Sequence, residues 1–382
     1  MNLSVSDSAK TPPFSWRRWC AGLLCLGGLL IGKAVGADPT AEQQYMLELT
    51  NRFRSDPQGE LAELANFAST GVWAGTKSND ANIAYALNFF GTSASDLAAQ
   101  FSSLVAAPPV AWNSALNVAA THYSNLMVSS DQQSHSLDAF SLDQRIQNGG
   151  YGANWLEVGE NLFASAQSPF HTHGAFVIDW GDGNGALGGY GNGIQNPAGH
   201  RNLLMNAAMK EMGVGFQDLS IPGSNATAIG PYVVTEYLAS EFRQEGASYF
   251  SDAILTGSVY QDTLLADAFY TPGEGLAGEV INVYDGSGIL VASGFSNSAG
   301  GFNISLTGLA AGPGYRVEAP GTGLAGQTFE LIAHTEDYGA PVLVYDNVYS
   351  SFMVVPEPGS LLLCLAGALR LLCVRSRRCY LS

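Results

Sequence analysis

Between Ala37 and Pro356 the 382-residue chain has no cysteine. All five cysteines lie near the ends, as Cys20, Cys25, Cys364, Cys373 and Cys379. The body therefore has no disulfide, no thiol nucleophile and no thiolate metal ligand. Basic residues are scarce as well. Only 8 of the 16 Lys and Arg lie between Ala37 and Pro356, against 31 of the 33 Asp and Glu. So acidic a body lacks the basic patch that nucleic acid or an anionic membrane surface requires. It suits a soluble extracellular protein with an affinity for divalent cations. No Gly-x-Ser-x-Gly segment occurs, so nothing marks a serine hydrolase.

The ends differ from the body. Residues 1–37 read as a signal peptide. Lys10, Arg17 and Arg18 precede an apolar run from Trp19 to Ile31, and Val35-Gly36-Ala37 offers small residues to signal peptidase. The run is short for a membrane span, which needs ~20 apolar residues. At the other end, residues 355–382 open with Val355-Pro356-Glu357-Pro358, which breaks regular structure. An apolar run from Leu361 to Val374 follows, then Arg375, Arg377 and Arg378, which would hold that end in the cytoplasm.

Two folded parts are expected between these ends, 38–243 and 244–354. In the first, Ala41 to Phe67 has helical spacing broken at Asp56-Pro57. Asn113 predicts the cap of a helix whose buried stripe is Leu116, Ala119, Ala120, Tyr123 and Met127, with His122 off the stripe. Residues 174–180 read as the end of another helix, and His171 and His173, alternate histidines that could bind metal, as part of a solvated loop. Strands are expected at 212–217 and 230–239. From about Leu255, short β patterns alternate with Asp-Gly and Gly-Gly turns, as in Gly278–Tyr284 and Gly301–Leu306, and predict a small all-β sandwich.

In this order and spacing, one set of segments resembles the CAP superfamily of cysteine-rich secretory, antigen 5 and pathogenesis-related class one proteins. They are Asn51-Arg52-Phe53-Arg54, Trp112-Asn113, Ser134-His135-Ser136, Arg145 with Gly150-Tyr151, Gly159-Glu160-Asn161-Leu162, Gly199-His200-Arg201 and Glu211-Met212-Gly213-Val214-Gly215. The resemblance implies an α+β fold, an α-β-α sandwich with a central antiparallel sheet. An Ig- or prealbumin-like β module, with Glu274 its most recognisable residue, would follow. It also implies a groove with two histidines and two acids. His135 and His200 match the histidines and Glu160 one acid. The second acid is expected on the helix before His200, as Asp179 or Asp182.

Two imidazoles and a carboxylate suit Zn²⁺ or another divalent ion with an open water position. Such a centre could activate water, so His135, Glu160 and His200 are also the catalytic candidates of a metal-dependent hydrolase. The other expectation is a binding or structural module for an extracellular or envelope ligand, its His/Glu groups forming a hydrogen-bonded network. Asp182-Gly183-Asn184-Gly185 is similar to calcium loops but has no glutamate at the twelfth position, which excludes an EF-hand. Irregular Ca²⁺ binding stays open there and around Asp262, Asp267 and Glu274. Residues 355–378 resemble a PEP-CTERM sorting signal. This implies processing by an exosortase-type enzyme after a brief stay in the inner membrane, then release to the cell surface or medium.

Overall fold

Thr40 caps the first helix, and Gln43 closes the capping box by accepting the Thr40 amide. The computed structural model describes residues 38–67, 73–75, 80–181, 191–220 and 226–355. Both end segments, and with them the signal and sorting expectations, lie outside these residues.

Among the described residues the first part has eight helices and six strands. In chain order they are α1 (Ala41–Ser55), α2 (Pro57–Leu64), β1 (Asn66–Phe67), β2 (Trp73–Gly75), α3 (Ala81–Phe90), α4 (Ala94–Ser102) and β3 (Ala111–Trp112). There follow α5 (Ser114–Ser130), α6 (Leu142–Asn148), β4 (Trp155–Ala166), α7 (Pro169–Ile178), α8 (Gly199–Leu204), β5 (Glu211–Asp218) and β6 (Tyr232–Glu241). The Asp56-Pro57 break falls between α1 and α2, where Asp56 caps the second helix. Asn113 caps α5 as expected, accepting from the amides of Ala115 and Leu116 at 2.9 and 3.2 Å.

The main sheet has the order β3-β5-β6-β4. Its long pairs are antiparallel, but β3 runs parallel to β5, so the sheet is mixed rather than wholly antiparallel. One apolar cluster joins α1, α2, α7 and α8 to one face through Val214, Val234 and Leu238. A second joins α5 and α6 to the other face through Leu162, Tyr237 and Ala239. The expected stripe on α5 is buried in full.

Twelve short strands follow, and the chain becomes β-rich. They are β7 (Arg243–Glu245), β8 (Ser248–Ser251), β9 (Ile254–Gln261), β10 (Val280–Tyr284), β11 (Leu290–Phe295) and β12 (Gly301–Ser305). The last six are β13 (Gly312–Glu318), β14 (Gln327–Leu331), β15 (Ala333–Asp337), β16 (Pro341–Tyr345), β17 (Val348–Tyr349) and β18 (Phe352–Val354). They form sheets ordered β11-β10-β13-β14, β12-β9-β17 with β18 also on β9, and β15-β16-β8-β7. A third apolar cluster, with Leu255, Val283, Phe302 and Phe352, lies between them.

Candidate functional site

Side chains of a strand alternate between its faces. On β4, Glu160 points with Val158 and Leu162 toward α5 and α6. His135 comes from the loop after α5. Tyr123 fixes that loop, its hydroxyl donating to the Ser134 carbonyl at 2.7 Å and accepting from the Leu137 amide at 3.2 Å. His135 Nδ1 then meets Glu160 Oε1 at 2.7 Å. The glutamate side chain is 5% exposed and the imidazole 62%.

Arg145 on α6 ties this group together. It donates to Glu160 Oε2 at 3.1 Å, to the His135 carbonyl at 2.8 Å and, through Nε, to Asp138 Oδ1 at 3.0 Å. Its guanidinium lies 4.0 Å from the centre of the Tyr123 ring. Tyr237 stands opposite Glu160 on β6. Burial first, and then the Glu160 carboxylate, push its phenol well above the ordinary value. The role of Arg145 and Asp138 was not read from the sequence. Arg145 did stand in the motif, and its fork geometry suits a carboxylate.

The second histidine has its own acid. Asp179 follows α7 in the left-handed conformation, φ 59°, and is fully buried. Its Oδ1 meets His200 Nδ1 at 2.7 Å, and its Oδ2 accepts the His200 amide at 3.0 Å. Of the two acids expected before His200, Asp179 is the one that meets it here, and Asp182 lies outside the described residues. His200 hydrogen-bonds Asp179 rather than Glu160. Arg201 donates to the Val177 and Ile178 carbonyls at 3.2 and 3.0 Å and so holds the last turn of α7. The Phe176 ring packs 5.2 Å from the His200 ring, whose side chain is 21% exposed.

Gly159 explains how α8 reaches the sheet. A β-carbon there would sit 2.3 Å from Leu203 Cδ1, so the glycine lets Leu203 seat close against that face of β4. That face is opposite to the one carrying Glu160. The two histidine–carboxylate pairs thus approach β4, an outer strand, from its two faces. Each pair has the same form. A carboxylate takes Nδ1, fixes the ring, and leaves Nε2 without a hydrogen bond among the described residues. Carboxylate–imidazole pairs of this kind orient metal-binding histidines. Among the described residues no three His, Asp or Glu side chains are grouped to hold an ion.

The remaining candidates lie elsewhere in the fold. His122 is exposed on α5. His171 and His173 are not in a solvated loop. They lie on α7 and are 6% and 1% exposed. His173 Nε2 meets Glu60 Oε1 at 2.9 Å, and Glu60 also receives Arg52 at 2.6 Å. Ser168 caps α7, and Pro169 occupies its first turn; together they were the missed helix-start signal. Glu211 accepts from Tyr151 Oη and Asn113 Nδ2, both at 2.6 Å, and burial raises its pKa. In the β-rich part, Glu274 accepts the amides of Thr263, Leu264, Leu265 and Thr271. Asp262 accepts those of Asp267 and Ala268. These carboxylates are committed to closing a loop of backbone donors.

The helix-flanked sheet thus carries a histidine–carboxylate pair on each side of an outer strand. Residues 47–223 match the model of the cysteine-rich secretory protein family, CAP. No curated protein matches the chain. Among solved structures it is similar to an extracellular protein containing an SCP domain from Bacillus anthracis str. Ames. That match has 17% identity and a TM-score of 0.25, over 44% of this chain and 45% of that one. It is also similar to an outer surface protein from Borrelia burgdorferi, with 12% identity and a TM-score of 0.27, over 42% of this chain and 94% of that one.

Proposed function

We propose that this is an exported binding module of the cell surface or medium, whose CAP groove holds a divalent metal through Nε2 of His135 and His200. In this reading its β-rich part is an Ig- or prealbumin-like sandwich. Glu160 and Asp179 orient the rings and do not ligate. The observation that carries the reading is the repeated contact of a carboxylate with Nδ1. Two neutral imidazoles suit Zn²⁺, which when bound supplies a Lewis acid. The alternative is a metal-dependent hydrolase at His135, Glu160 and His200, which requires chelator-sensitive turnover as well as binding. Zinc titration of the purified protein tests the site. Wild type should bind zinc, Asp179→Asn should bind roughly 10- to 100-fold more weakly, and His135→Ala/His200→Ala should not bind it. Unchanged zinc affinity in the double variant would sink the proposal.

Export rests on the pattern of residues 1–37, and sorting on that of residues 355–382. No helix among the described residues is long and apolar enough to cross a membrane. In this reading a membrane-held stage falls to residues 359–374, with cleavage near Pro356-Glu357-Pro358 by an exosortase-type enzyme. Mass spectrometry of the mature protein should find a C-terminus close to Pro358. A mature chain that keeps Arg377-Arg378 rules out processing.

A further inference from the structure

Where α1 meets the β-rich part there is a cavity of about 220 Å³. Its walls include the rings of Tyr260, Phe269, Tyr270 and Tyr349, with Glu48 and Arg52 from α1. Tyr260 and Tyr270 stand at 82° to each other, 6.0 Å between centres, and so form two sides of a box. We propose that this cavity is a binding site for a small organic ammonium ion, held by aromatic faces and by the Glu48 carboxylate.

Four observations support that class of ligand. The face of an aromatic ring is negative and attracts cations, most strongly where water is excluded. One cation is already drawn to this wall, since the Arg52 guanidinium lies 4.3 Å from the Phe269 centre. Its charge is offset by Glu60, which it meets at 2.6 and 2.9 Å. Next, the field at the walls is negative. After burial itself, the influences that push the Tyr260 and Tyr270 phenols above their ordinary value all come from carboxylates, those of Glu48, Glu42, Asp262, Asp267 and Glu274. Third, Glu48 is 1% exposed and has no basic side chain among its hydrogen-bond partners. Gln44 donates to it at 2.7 Å, and so does the Tyr349 hydroxyl. Burial raises its pKa, so a cation beside it would supply the missing counter-charge. Last, the Tyr270 hydroxyl is buried with no hydrogen-bond partner among the described residues.

The site is separate from the histidine groove and does not depend on metal binding there. Calorimetric titration of the purified full chain tests it with choline, tetramethylammonium and the neutral carbon isostere of choline, a dimethylbutanol. Both cations should bind with one site per chain, and the neutral isostere roughly tenfold more weakly or not at all. Phe269→Leu alters only a half-buried loop residue, so it should stay folded by circular dichroism and lose roughly tenfold in choline affinity. Glu48→Gln should lose a similar amount, and His135→Ala/His200→Ala should lose none. Equal affinity for the neutral isostere would reduce the site to an apolar hole and overturn the proposal. So would the absence of cation binding to the folded wild type.

Discussion

Glu236 is a residue whose chemistry the sequence pattern concealed. It sits in the middle of β6, between Val234 and Leu238, in a strand that reads as apolar. Its carboxyl is 1% exposed, and its one hydrogen bond among the described residues is from Asn161 Nδ2 at 3.2 Å. Burial overrides that bond and pushes the pKa up to about 8 from an ordinary 4.5. The folded protein then keeps a proton that the unfolded chain releases. Stability associated with Glu236 is complete below pH 4.5 and is lost as the pH rises toward 8. The slope should approach 1.4 kcal/mol per pH unit at most, since about 1.4 kcal/mol corresponds to one unit. Glu236→Gln keeps the shape and an acceptor for Asn161. Denaturant melts at pH 5, 6.5 and 8 should find the variant gaining on wild type as pH rises. A pH-independent difference would mean that Glu236 is ionised in the fold.

At the scale of elements, the seating of α5 on β5 was partly legible. The alternation Glu211-Met212-Gly213-Val214-Gly215-Phe216 predicted a buried strand, and that strand is β5. Why its small residues are glycine was not legible, because the reason lies on another element. A β-carbon at Gly213 would meet the Asn117 amide nitrogen at 2.1 Å, and one at Gly215 the Ala120 carbonyl oxygen at 2.3 Å. The helix backbone lies directly on the strand there, and backbone atoms cannot move aside as side chains can. Asn117 and Ser124 use the closeness to donate to the Val214 and Gly215 carbonyls, at 2.7 and 3.0 Å. The same limit applies to the site. The residue types His135, Glu160 and His200 could be picked from local motifs. Asp179 was one of two acids expected and Arg145 stood in the motif, but which histidine or carboxylate each meets depends on how α6 and α7 pack against β4. Histidines on α7 were misread for a related reason. Local polarity suggested water, whereas His173 is buried with its Nε2 on Glu60, 113 positions away.

At the scale of the whole chain, the two parts keep separate apolar cores and are joined in part by buried polar groups. The first two apolar clusters draw only on residues from Met46 to Leu238 and Leu116 to Ala239, and the third only on Ala253 to Phe352. Between them, the Lys210 ammonium donates to the carbonyls of Ser251, Asp252 and Tyr345. Asn347 Nδ2 donates to the Pro109 and Lys210 carbonyls at 3.1 and 2.7 Å, and Asn303 Nδ2 to the Trp112 carbonyl at 2.9 Å. Such a junction contributes chiefly while all its partners are present, since a buried polar group left unpaired costs about 1–3 kcal/mol. Cutting the chain after Arg243 returns these groups to water instead of stranding them, and leaves the first two cores whole. The fragment 38–243 should therefore still melt cooperatively, at a lower temperature than the intact chain. Lys210→Ala separates the two contributions. In the full chain it strands buried carbonyls and should cost about 2–4 kcal/mol by that reckoning. In the fragment, where the Lys210 ammonium already faces water, it should cost much less. A fragment without a cooperative melt would mean that the first part depends on the second. An equal cost of Lys210→Ala in both chains would mean that the clasp contributes nothing across the junction.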